Sequence, residues 1–203
     1  MMDENRSAGD ARHTARDSAG RSLAEIVAGL DTRRLPPVHL WHPTHCGDSD
    51  MRIAADGTWW HAGSPIGRPE LVRLFSTILR RESDGSFVLV TPGEKLSIAV
   101  DDAPFVAVEA TLEPGSDTAS TRIAFRLNNG DDVVAGPEHA VRIETAADGT
   151  PRPYVHVRSG LDALIARPVF YQLAEVALAE AAASGGPPGI WSDGAFFAFG
   201  SAA

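Results

Sequence analysis

The feature that most restricts the fold is an internal repeat. "ADGTWWHAGSPIGRPELVRLF" is followed by "SDGSFVLV", and "ADGTPRPYVHVRSGLDALIARPVFYQL" is followed by "SDGAFFAF". Each half reads as a hairpin holding Ala-Asp-Gly-Thr, then Arg-Pro opening an amphipathic helix, then Ser-Asp-Gly opening an aromatic strand. Any one of these features is common. All of them in one order indicate a duplicated unit. The expected fold is α+β, with two similar small lobes packed together, each holding antiparallel strands and an amphipathic helix. The groove between such lobes is a natural place for a ligand or partner.

The remaining elements fit this frame. Ser22 and Glu25 have capping-box spacing, and Leu23, Ile26, Val27 and Leu30 share one helical face in "SLAEIVAGL". Pro36 and Pro37 end that helix. Asp56-Gly57 marks a hairpin, because glycine tolerates the positive φ of a tight turn. "GRPELVRLFSTILRR" reads as one helix with Pro69 in its first turn and Leu71, Val72, Leu74, Phe75, Ile78 and Leu79 as the buried stripe. "SFVLVT", "EKLSIAV", "PFVAVEATL", "TRIAFRL", "AVRIET" and "YVHVR" read as strands, and Asn128 to Asp132 as a turn. "RPVFYQLAEVALAEAAA" is a second helix stopped by "SGGPPG", and "AFFAFG" closes the chain as a strand. The expected organisation is a disordered polar arm over 1–20, a helix plus first lobe over 21–115, and a second lobe over 116–203.

A net charge of −9 opposes general nucleic-acid binding, which needs a surplus of Lys and Arg to neutralise phosphates. The single cysteine permits no internal disulfide. The N-terminus has no apolar core of a secretory signal, and no apolar run approaches the roughly 18 residues of a membrane span. A cytoplasmic protein that does not enter a membrane is expected.

One stretch is dense in metal-ligand types: "HLWHPTHCGDSD", with His42, His45, Cys46, Asp48 and Asp50. Zinc takes Cys and His donors held tetrahedrally, and hydrolytic metals take His with carboxylate. The spacing is irregular, so a polar loop with Cys46 packed as a small apolar group competes with a metal-dependent hydrolase using His42, His45, Cys46 and Asp48. Asp101 and Asp102 form a carboxylate pair, but aspartate also favours turns for its hydrogen bonds to backbone N–H groups. Arg68, Arg73, Arg80 and Arg81 could receive phosphate or an acidic partner. Adjacent Trp59 and Trp60 on a strand face opposite sides, so one fills the core and the other is exposed, covered by the partner lobe, or part of a binding surface. His156 and Arg158 share a strand face by alternation. The chain has no nucleophile elbow, P-loop or dinucleotide fingerprint.

"CGDSDMRIAADGTWWHAGSPIGRPELVRLFSTILRRESDGSFVLVTPGEKLSIAVDDAPFVAV" resembles the bacterial domain-of-unknown-function 1285 family, as do "NNGDDVVAGPEHAVRIE" and "YVHVRSGLDALIARPVFYQL". The resemblance runs from about Leu35 to Gly200. Trp41, Pro43, Cys46, Gly47 and Asp48 fit the family's pattern, whereas His42 and His45 depart from it. The resemblance implies a duplicated α+β fold whose second half is loosely pleckstrin-homology-like, with a signalling partner bound where the halves meet. It supplies no catalytic residues. Taken together, these readings favour a non-catalytic binding module that needs no cofactor. Its partner is an unknown protein or a small anionic ligand near the lobe interface, with Trp59, Arg68, Lys95, Asp102, His156 and Arg158 as contacts.

Overall fold

A computed structural model describes residues 35–199. The arm 1–20 and the amphipathic segment Ser22–Leu30 lie outside the described residues. The first lobe begins with a meander of β1 (His45–Ile53), β2 (Trp59–His61) and β3 (Ser64–Pro65). Helix α1 (Pro69–Thr77) follows, then a second meander of β4 (Leu79–Arg81), β5 (Phe87–Val90) and β6 (Glu94–Val100). Parallel pairing of β1 with β6 joins the meanders into one sheet, ordered β3-β2-β1-β6-β5-β4.

The second lobe repeats this plan. It holds β7 (Phe105–Glu113), β8 (Arg122–Leu127), β9 (Asp132–Val134), β10 (Val141–Thr145), β11 (Pro151–Arg158) and β12 (Leu161–Ile165). Their order is β10-β11-β12-β7-β8-β9, again closed by a parallel pair, β7 with β12. Helix α2 (Arg167–Ser184) and the hairpin of β13 (Gly189–Ser192) and β14 (Ala195–Ala198) complete the chain. The lobes are duplicated as expected, with one parallel pair in each otherwise antiparallel sheet. Strand β7 already belongs to the second sheet, so the change of sheet falls between Val100 and Phe105, ahead of the division expected after residue 115.

The phase of the repeat differs from the one read in the sequence. The first Ala-Asp-Gly-Thr turns β1 into β2, but the second turns β10 into β11. The structural equivalent of the β10–β11 turn is the β4–β5 turn, which carries Ser83-Asp84-Gly85. Those two turns are built alike: Asp84 and Asp148 each accept from the backbone N–H two residues on, at 2.9 Å, before a left-handed glycine. The second Ser-Asp-Gly is different in kind. There Asp193 itself is left-handed at φ 49, as a two-residue hairpin requires. Asp-Gly serves several turn geometries, so it marks hairpins without marking equivalent ones. The helices also differ in place, α1 between the meanders of its lobe and α2 after both.

The helix expected to run to Arg81 stops at Thr77. The Ser76 and Thr77 hydroxyls donate back to the Arg73 and Leu74 carbonyls at 2.7 Å, which weakens the last turn. Leu79–Arg81 then pairs with Phe87–Leu89, which buries Leu79 against the sheet. The stretch read as a polar loop is also a strand: His45 to Asp48 pair in parallel with Glu94 to Ser97. Its partner lies about fifty residues away, so nothing local in the sequence signals it.

One apolar core runs through both lobes, with Ile53, Trp59 and Phe75 from the first and Phe105, Phe125, Val155 and Leu173 from the second. The terminal hairpin is tied in by Ser192, whose buried hydroxyl donates to the Ala135 carbonyl at 2.7 Å and accepts from the Ile123 N–H at 2.9 Å. Ser192→Ala strands both backbone groups away from water. It is expected to cost about 1–3 kcal/mol in urea unfolding, with an unchanged slope.

Candidate functional site

The groups with chemistry lie along β11 and at the seam between the lobes. Alternation on β11 puts Arg152, Tyr154 and His156 on one face, opposite Glu144, Arg142 and Asp162 of the neighbouring strands. These side chains and Asp102 form a connected array. The Tyr154 hydroxyl donates to Asp102 at 2.7 Å, and Arg152 pairs with the same carboxylate. The Arg142 guanidinium lies 4.8 Å from the Tyr154 ring centre and bonds Glu144 at 2.9 Å and Asp162 at 3.0 Å. His156 Nδ1 is 3.1 Å from the other Asp162 oxygen. The carboxylates are the inner layer, at 8% exposure for Asp102 and 15% for Asp162, while Arg142 and Arg152 are 44% and 43% exposed.

Arg158 leaves this face. A bulge lies between the pairs His156↔Asp162 and Arg158↔Leu161, where two steps along β11 meet one along β12. The extra residue re-aims the side chain. Arg158 therefore lies over the Phe105 ring, 5.2 Å from its centre, and donates to the Ser76 carbonyl of α1 at 2.7 Å. The shared face expected for His156 and Arg158 holds only for a strand without a bulge. Burial pulls the Arg158 guanidinium below its usual pKa, and the nearby Asp131 charge acts in the opposite sense.

Further contacts close the seam. Asn128 accepts from the Val106 N–H at 3.1 Å and donates to the Gly57 carbonyl at 3.2 Å. Asn129 reaches the Ser76 hydroxyl at 3.2 Å, and Asp131 pairs with Arg73 at 3.4 Å. Arg81 of the first lobe donates to the Gly160 carbonyl of the second at 3.4 Å.

Of the residues singled out from sequence, the structure joins Asp102 and His156 in the array and sets Arg158 at the end of the same strand. The others lie apart in the first lobe. Trp59 is a core residue at 2% exposure, stacked 6.4 Å from Phe75, because its strand position faces α1. Arg68 is exposed at the start of α1, and Lys95 pairs with Glu82 at 3.6 Å. Asp101 and Asp102 diverge, Asp101 to Arg52 and Asp102 to β11, so they do not form an acid–base pair. The metal donors do not converge either. His42 is exposed ahead of β1, His45, Cys46 and Asp48 are exposed and alternate along it, the Asp48 carboxylate accepts from the Asp50 N–H at 2.8 Å, and among the described residues no group of three His, Cys, Asp or Glu side chains is placed to hold an ion. Sequence reasoning missed Arg142, Arg152, Tyr154 and Asp162. Arg152 and Tyr154 alternate with His156 and were open to the same reading, whereas the register that brings Arg142 and Asp162 to them is a tertiary fact. Two open cavities lie elsewhere, of about 590 Å³ beside Trp191 and Phe196 and about 540 Å³ beside Asp48, Asp50 and Trp60.

Fold and site together define a duplicated two-sheet α+β protein with a polar array on its second sheet and a charged seam between its lobes. The chain belongs to the DUF1285 family: residues 36–103 match the N-terminal domain, a domain of unknown function, and residues 104–199 match the C-terminal domain. It is similar to the solved structure of a DUF1285 family protein from Silicibacter pomeroyi DSS-3, with 46% identity and a TM-score of 0.76 over 87% of this chain and 93% of that one. A DUF1285 family protein from Shewanella baltica OS155 is 23% identical over 62% of this chain and 90% of that one, with a TM-score of 0.46. No curated protein matches the chain. Among the described residues no helix is long and apolar enough to cross a membrane.

The array has a titratable signature. Burial first, then the Asp102 carboxylate accepting its proton, raises the Tyr154 phenol from 10.0 to about 12. The folded state then holds this proton more tightly than the unfolded chain. The Tyr154 contribution to stability is therefore present below pH 10.0 and is lost between there and about 12. In a Tyr171→Phe background, where Tyr154 is the remaining tyrosine, phenolate absorbance is expected to rise with a midpoint near 12. A midpoint at 10.0 would mean that the phenol is neither buried nor held by Asp102.

Proposed function

We propose that this protein is a non-catalytic binding module acting in signalling or regulation, which takes its partner at the seam between the lobes. The observation that carries this reading is Arg158, a half-buried cation at the seam that makes no ion pair among the described residues. A charge without a counter-ion in a packed junction is a poor way to gain stability and a good way to receive a partner. Asp102 and His156 of the adjoining array are the further contacts, and the partner is a protein or an anionic small molecule. Trp59 is left out, because its core position gives a partner no access. The cytoplasm is the proposed compartment, since the one cysteine leaves no internal disulfide to form. Six strands followed by a helix in the second lobe support the loose likeness to pleckstrin-homology domains.

The test is capture of a partner from native cells, followed by hydrogen exchange on the complex. Protection centred on Ser76, Asn128–Asp131 and His156–Asp162 is expected. A footprint confined to α2 and the terminal hairpin would remove the seam from the proposal. The seam must also be rigid for this role. Gly57 has φ +83, and a Cβ there would come within 2.4 Å of the Asn128 amide and 2.9 Å of Val106. Gly57→Ala is therefore expected to cost about 1–3 kcal/mol and to speed exchange at Asn128 and Val106.

A further inference from the structure

Helix α2 is apolar on the side that faces water as well as on the side that faces the core. From Arg167 to Ser184 its polar residues are Arg167, Gln172, Glu175, Glu180 and Ser184, with a hydroxyl on Tyr171. Val169, Phe170, Leu173 and Ala177 are buried. On the opposite side Tyr171 and Leu178 are each 59% exposed, and Ala182 is exposed one turn further on. A surface helix turns a polar face outward, and one that is apolar all round is covered. Apolar side chains grouped in water, rather than scattered, mark an interaction surface.

The charges on this side stand in a definite order. Arg167, Tyr171 and Glu175 follow one another at four-residue steps and form one ridge along the helix. Ala174, Leu178 and Ala182 form the next ridge, whose two alanines leave the groove between the ridges open to a close approach. Arg167 and Glu175 are both exposed, and neither has an ion-pair partner among the described residues. They lie about 12 Å apart along the axis, with Tyr171 between them. The order cation, ring, anion is its own complement. A second copy of the ridge, turned end for end about Tyr171, sets each Arg167 against the Glu175 of the other copy. Ridges at four-residue steps lie side by side when two helices cross at about −50°, the commonest crossing in globular proteins. A two-fold axis places the same patch on both sides of the contact, which is the arrangement a self-complementary ridge fits.

We propose that the outer face of α2 docks on the same face of a second copy of this chain, with Tyr171 at the two-fold axis and Arg167 and Glu175 paired across it. The partners cover the exposed apolar side chains and neutralise two charges per copy that have no partner at home. A single helix-on-helix contact falls at the low end of specific interfaces, under about 1,200 Å² in total, so the complex is a reversible dimer and not an obligate one. The proposal uses none of the seam residues and stands apart from the binding-module reading.

The test is sedimentation equilibrium of the full chain over about 1–300 µM, a range that brackets a micromolar dissociation constant. The mass is expected to rise from 21.5 kDa toward twice that value. Tyr171→Asp is expected to raise Kd at least about tenfold. Arg167→Glu and Glu175→Arg, each alone, bring like charges together across the axis and are expected to weaken the dimer about as much. The two changes in one chain exchange the charges and are expected to restore it. That restoration is a readout which damage to the fold cannot imitate, and all three positions are exposed. A mass that stays at 21.5 kDa throughout overturns the proposal, as does a dimer indifferent to Tyr171→Asp or an exchanged pair that fails to restore association. The other candidate occupant is the amphipathic segment Ser22–Leu30 of the same chain. A constant mass, with hydrogen exchange along α2 quickened by Leu23→Asp and Ile26→Asp, would assign the face to that segment and overturn the dimer.

Discussion

Everything in this molecule depends on one non-local contact made twice: the first and last strands of each lobe lie side by side in parallel. β1 meets β6 and β7 meets β12, each pair separated by two meanders that are locally simple. Hairpins form from neighbouring residues, but a parallel pair requires the intervening chain to be closed first, at an entropic cost that only burial repays. Closure turns two three-stranded meanders into a six-stranded sheet with a continuous apolar face. It also makes the central strands of each sheet come from the two ends of a lobe, so the connection Asp101–Pro104 passes directly from the centre of one sheet to the centre of the other.

The seam is a consequence of that short connection. β6 leads into β7 with four residues between them, and the apolar faces of the two lobes merge into one core. Where the core ends, polar groups have to be matched across the junction. Asn128, Asn129 and Ser76 do so with neutral hydrogen bonds. Arg158 and Arg81 do so with charge left over. Asp101 and Asp102, adjacent in the connection, turn to opposite lobes and anchor Arg52 and the Tyr154 array respectively. The binding reading rests on this contrast, between polar groups that satisfy the junction and cations that exceed what the junction needs.

Duplication, strand locations and the second helix were legible in the sequence, because apolar periodicity and turn residues act over a few neighbours. "EKLSIAV" coincides with β6, and "RPVFYQLAEVALAEAAA" with all but the last residue of α2. Strands β3, β9, β12 and β13 escaped notice because each is at most five residues long and supported by partners elsewhere in the chain. The helix through Ile78 and Leu79 was misjudged for a related reason: apolar spacing is the same in a helical stripe and in a helix that hands over to a strand. Of the candidate site, Asp102, His156 and Arg158 were visible as polar residues near landmarks. Their grouping was not, since one bulge moved Arg158 to a different environment from His156.

The sequence by itself determined that this chain folds as a doubled α+β unit, because turn chemistry and apolar patterning are local properties that each segment carries with it. Only the tertiary structure decided which halves are equivalent, which side chains meet and where charge is left unpaired. Asp-Gly turns fit several hairpins equally well, and strand register, parallel closure and a single bulge are settled by packing between residues far apart in the chain.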